Sequence, residues 1–155
     1  LAAMESQYSI HPGDFGESAN IDFMWGVPLA QLLLAKGETA RANRLAKAIL
    51  ANSERELRDA EAKPLMEYAR AGALVTLGRR DEALDALISS IHGGTHVGWW
   101  ITDLGPMFDA LKQDPRYKAL AAEMAEKVRL QVALVAKMRA AHELPQRPAV
   151  TVPAR

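Results

Sequence analysis

Two stretches of this chain are settings of one pattern. LAQLLLAKGETARANRLAKAIL (Leu29 to Leu50) and RAGALVTLGRRDEALDALISSI (Arg70 to Ile91) superpose when Gly37 is laid on Gly78. Ala30 then meets Ala71, Leu33 meets Leu74, Ala42 meets Ala83, and Ile49 meets Ser90. Each stretch reads as an apolar helix, a glycine that ends it by accepting positive φ, and a second helix folding back. The alanines fall where two antiparallel helices must approach most closely. Such a hairpin cannot bury its apolar face alone and needs a neighbour of the same kind, so the repeat constrains the fold more than any single residue does.

The rest of the chain is read around this repeat. Alanine supplies 28 of 155 residues, aromatics only 6%, and no valine, isoleucine and threonine run alternates with polar residues. Alanine and leucine are the residues a helix accepts most cheaply, so the chain is expected to be all-α. Its length and 49% apolar content suit one domain with a real core. The spacing predicts a first helix over about 21–36, in which Pro28 implies either a kink or a later start near Val27. A second follows over about 39–60, with Ala42, Leu45, Ala46, Ile49 and Leu50 on one face and Arg41, Arg44 and Lys47 on the other. Pro64 opens a third, ended by Gly78, and the fourth runs from about Arg80 to Ile91 before Gly93-Gly94. Pro106 can start a short helix ending near Lys112. Asp114-Pro115 is an N-cap carboxylate followed by proline at the first helical position. From there Tyr117, Leu120, Met124, Val128, Val132, Val135 and Met138 keep a helical period for about seven turns.

The implied organisation is a remnant of a preceding repeat and loop over 1–20, and a helical domain over 21–142. That domain holds units at about 21–60 and 64–91 and terminal helices at about 99–142. A proline-rich extended tail over 143–155 carries Pro145, Pro148 and Pro153. The chain starts at Leu1, and we read it as a piece of a longer protein.

The repeat resembles the tetratricopeptide repeat, whose small-residue, glycine and alanine positions fall at these offsets. The structural repeat positions are Ala30, Gly37, Ala42, Ala71, Gly78 and Ala83. Here the units lie 41 residues apart rather than the family's usual 34, so the first unit's second helix is longer or carries an insertion. The family's tryptophan and tyrosine positions in the first helix are absent. The stretch TDLGPMFDALKQDPRYKALAAEM is similar to the last turn of tetratricopeptide arrays behind bacterial signalling domains, namely winged-helix regulators, nucleotide cyclases and serine/threonine kinases. It matches at Asp103, Phe108, Asp109, Leu111, Asp114, Pro115, Arg116, Tyr117 and Leu120, and departs at Leu104-Gly105-Pro106-Met107 and at Ala110. The resemblance implies a right-handed superhelical stack of antiparallel helix pairs closed by a long C-terminal helix. It also implies a place at the C-terminal end of a larger, multidomain signalling protein.

Composition narrows the function classes. Nineteen basic residues balance nineteen acidic ones, so neither direct nucleic-acid binding nor a polybasic membrane patch is expected. The absence of cysteine removes disulfides, thiolate nucleophiles and thiolate zinc sites, and leaves cytoplasm and periplasm both open. No apolar run reaches the ~18 residues of a membrane span. His92 and His96 are four apart, but Gly93-Gly94-Thr95 between them breaks the helix that a zinc pair would need. The glycines there lack the lysine and serine or threonine of a phosphate loop. Glu54, Glu56, Asp59 and Glu61 alternate with Arg55, Arg58 and Lys63 as a solvated face. Trp99-Trp100 reads as a core plug before a ligand platform. No enzyme, cofactor or metal is expected.

What remains is a surface. The resemblance implies that the first helix of each unit lines a concave groove. By offset from the glycines, that groove should hold Met24, Val27, Gln31 and Leu34 in unit one, and Leu65, Tyr68, Gly72 and Val75 in unit two. The lysine and asparagine of the family's carboxylate-clamp members are not at these positions, so an acidic C-terminal tail is not the expected ligand. Tyr68 and Gln31 are the expected anchors for a peptide, with Gly72 leaving room for its backbone. Ordinary core packing of Tyr68 is the competing reading. The function that follows is a scaffold binding another protein or a segment of its own parent. The alternatives are a ligand-sensing domain and an oligomerisation module, the latter because the last helix is longer than a cap needs to be.

Overall fold

A computed structural model describes residues 23–57, 63–94 and 106–144, with side chains from Gly26 onward. Within them the chain is helical, without a strand. The helices are α1 (Phe23–Ala35), α2 (Thr39–Glu56), α3 (Lys63–Thr76), α4 (Arg80–His92) and α5 (Pro115–Ala140), with a 3-10 turn at Pro106–Phe108. The remnant and loop over 1–20, the Trp99-Trp100 pair, His96 and the tail from Pro145 lie outside the described residues.

The two glycines aligned by sequence end their helices in the same way. Gly37 has φ +80° and Gly78 φ +75°. The Glu38 amide donates to the Leu33 carbonyl and the Gly37 amide to the Leu34 carbonyl; Arg79 to Leu74 and Gly78 to Val75 repeat the pair. These crossed bonds are the Schellman arrangement, which satisfies carbonyls that a helix end would leave open. The next helix then starts at once. At its first turn the two units carry opposite versions of one ion pair: Glu38 holds Arg41, whereas Arg79 holds Glu82. Arg41 is thereby drawn half under cover, while Arg44 and Lys47 stay exposed.

Pro28 lies inside α1, which begins before it and continues past it to Ala35. The helix therefore does not wait for Val27. The extra length in the first unit is real: α2 has 18 residues against 13 for α4.

The core joins the two hairpins. Packing links α1 to α2, α2 to α3, α3 to α4, and also α1 to α3 directly. Val27, Leu29, Ala30, Leu33, Ala42, Leu45, Ala46, Ile49, Ala69 and Ala73 form one buried cluster. Ala30, Ala42, Ala71 and Ala83 are wholly buried, as close helix approach requires. Ser90, standing where Ile49 stands in the first unit, is also buried and donates its hydroxyl to the Pro64 carbonyl at 2.6 Å. This bond satisfies a polar atom inside the core and ties the end of α4 to the start of α3.

Contacts divide the chain into two compact units, Leu1–Lys118 and Ala119–Arg155. The boundary falls inside α5. In the first unit, Asp114 caps α5 by accepting the Arg116 amide at 2.8 Å. The Arg116 guanidinium also reaches Asp81 at 2.6 Å and Asp85 at 3.3 Å on α4. In the second unit, Leu120 and Met124 are buried, but Val128, Leu130, Val132 and Leu134 are 46–63% exposed. This part of α5 pairs its charges along its own axis, Lys127 with Glu123 and Arg129 with Glu126.

Candidate functional site

The residues singled out for the groove do not share one fate. Val27 and Gly72 are buried against each other in the α1–α3 contact. A Cβ on Gly72 would overlap Val27 Cγ1, so the room left by this glycine is taken by the protein itself and not by a ligand. Both residues therefore belong to the core, because the direct packing of α1 on α3 covers the side of each helix on which they lie. Leu65 is exposed near the start of α3. The Met24 side chain lies outside the described residues.

Gln31, Leu34 and Val75 come together. They line a cleft of about 710 Å³ at the C-terminal ends of α1 and α3. From α1 come also Pro28, Leu32 and Ala35, and from α3 Thr76. Leu32 and Leu34 are 38% and 40% exposed and stand together in the lining of this cleft, as part of one apolar patch.

A third wall comes from a segment that periodicity does not connect to this face. Pro106, Met107, Asp109 and Ala110 line the cleft opposite the helices. Gln31 Nε2 donates to the Met107 carbonyl at 3.0 Å, across 76 positions of sequence. Phe108 is fully buried, with its ring edge-on to Tyr68 at a centroid distance of 5.5 Å and an interplanar angle of 72°. The two side chains expected to anchor a foreign peptide thus hold the chain's own turn. Tyr68 is half-buried, with its ring packed on Phe108. The expected short helix to Lys112 is a single 3-10 turn followed by turns, ending where Asp114 caps α5.

The electrostatics of the cleft are mild. Among the described residues its one charged lining residue is Asp109, which pairs with Lys112 at 2.8 Å. Thr76 turns its hydroxyl back to the Gly72 carbonyl. Among the described residues Gln31 makes no second hydrogen bond. Groups that could do acid–base chemistry are not gathered here. Among the described residues no cluster of three or more histidine, aspartate or glutamate side chains is placed to hold a metal ion. His92 ends α4. No described helix is long and apolar enough to cross a membrane.

No family model, curated protein or solved structure matches the chain.

Proposed function

We propose that this chain is a tetratricopeptide-like scaffold that docks another protein, or a segment of its own parent, on the face built by α1 and α3. The observation that carries the proposal is the repeated hairpin. Two helix pairs end their first helices with the same glycine-centred bonds, and those first helices pack on one another. In a stack of this kind the first helices line the concave side and the second helices face outward. The exposed Leu32, Leu34 and Leu65 support a docking role, since buried apolar surface is what drives association.

The test is site-specific photocrosslinking in cells expressing the full-length parent. A photoreactive amino acid at Leu65 should give one recurrent adduct with another polypeptide, or an internal crosslink. The same group at Arg44, on the outer face of α2, should give none. Adducts from Arg44 alone would assign binding to the basic stripe instead.

The exposed apolar stretch of α5 favours a second reading, self-association through Val128, Leu130, Val132 and Leu134. Sedimentation of the purified chain decides it: a concentration-dependent dimer lost in Leu130→Lys/Leu134→Lys supports it, and a monomer at all concentrations removes it.

A further inference from the structure

We infer that the cleft between α1, α3 and the Pro106–Ala110 segment is a binding site for a small, uncharged, largely apolar molecule that carries one hydrogen-bond donor. Four observations converge on this class. The cleft's volume, about 710 Å³, lies within the range of small-molecule pockets. Its walls are mainly apolar, contributed by leucine, valine, proline, alanine and methionine. The chain's own turn stands across the helical face, hydrogen-bonded to Gln31 and fixed through Phe108 on Tyr68. The turn gives this end of the α1–α3 face a third wall, a shape suited to a compact ligand. Finally, the Gln31 amide is held by its nitrogen end, and among the described residues no donor is bonded to its Oε1.

Charge decides the rest of the assignment. A carboxylate or ammonium group taken into an apolar cleft must find a counter-ion, because an unpaired charge loses far more hydration than such walls return. Asp109 is already engaged by Lys112, and among the described residues no other charged side chain lines the cleft. A neutral hydroxyl or amide N–H, in contrast, finds its partner in Gln31 Oε1. This inference does not rest on docking to another protein: a ligand site here stands or falls with the purified chain alone.

The experiment is a fluorescence titration of the purified chain with Nile red, an uncharged dye, followed by competition with decanol, decanoate and decylammonium. One saturable site per chain is expected. Decanol should displace the dye at concentrations at least tenfold below those of either charged analogue. Leu34→Lys, at an already exposed lining position, should weaken dye binding at least tenfold while thermal unfolding stays unchanged. Leu130→Lys/Leu134→Lys, on the exposed part of α5, should leave it unaltered. Gln31→Leu should narrow the advantage of decanol over decanoate. Equal displacement by the three analogues would overturn the ligand class. Binding that survives Leu34→Lys but is lost in the α5 variant would overturn the site.

Discussion

Val27 occupies the space that a side chain on Gly72 would need. This pair lies at the α1–α3 contact, where the two hairpins meet, and it turns a glycine in the middle of a helix into a packing requirement. Glycine at an interior helical position ordinarily costs about 0.5–1 kcal/mol against alanine. Gly72→Ala should nevertheless destabilise the protein, by about 1–3 kcal/mol, because the stiff valine opposite has no rotamer to yield. Urea denaturation measures this. In Val27→Ala/Gly72→Ala the two costs should be far from additive, and simple additivity would mean that the residues do not touch.

Ala83→Leu should cost about 1–3 kcal/mol through overpacking, since Ala83 is wholly buried where α4 crosses α3. An unchanged denaturation midpoint would place Ala83 at the surface and void its equivalence to Ala42.

Gly37→Ala and Gly78→Ala should each lower stability by about 1–2 kcal/mol, the cost of a left-handed backbone for a residue with a Cβ. Among the described residues nothing outside the adjoining chain lies within 4 Å of a Cβ added at either position, so the loss is conformational and not steric. Asparagine at the same sites should lose less than alanine. A rise in stability for either alanine variant would contradict the positive φ.

Asp114 predicts an acid limb. The Arg116 guanidinium, followed by the Arg116 amide, holds its carboxyl below the ordinary carboxylate range. A depressed folded-state value means that the group stabilises the fold above its unfolded pKa of about 3.9 and loses that contribution as pH falls through the folded value. Carboxyl NMR should show Asp114 titrating below the ordinary aspartate range, and Arg116→Gln should return it toward that range. A midpoint at the ordinary value in the unsubstituted chain would contradict the cap.

The parts of this structure that were legible in the sequence are those with local causes. Gly37 and Gly78 end helices because of their own backbone freedom, and the alanines at 30, 42, 71 and 83 are small for a reason that repeats. Asp114-Pro115 starts α5 through side chain and ring geometry a reader can see in two letters. Other features depended on contacts far apart in sequence. Val27 and Gly72 fall on the groove side when helices are rotated about their glycines, but the direct packing of α1 on α3 covers them. Nothing in the periodicity joins Met107 to Gln31, 76 residues earlier. The apolar period of α5 runs unbroken through Met124 and Val128, although the first is buried and the second exposed. Pattern alone registers a potential to be covered and not the cover.

The stacking of one hairpin on the other is tested most directly by a disulfide across the opening pair. A Cβ on Gly72 would stand 3.4 Å from the Val27 Cβ, close to the ~3.5–4.5 Å that a disulfide spans. The chain has no cysteine of its own, so Val27→Cys/Gly72→Cys can form no other intramolecular bridge. Mild oxidation of the purified variant, followed by non-reducing electrophoresis and mass spectrometry, is the measurement. The account predicts a monomer two hydrogens lighter than its reduced form, migrating faster and unfolding at higher urea than after reduction. Thiols that stay free, or that join only between chains, would contradict it.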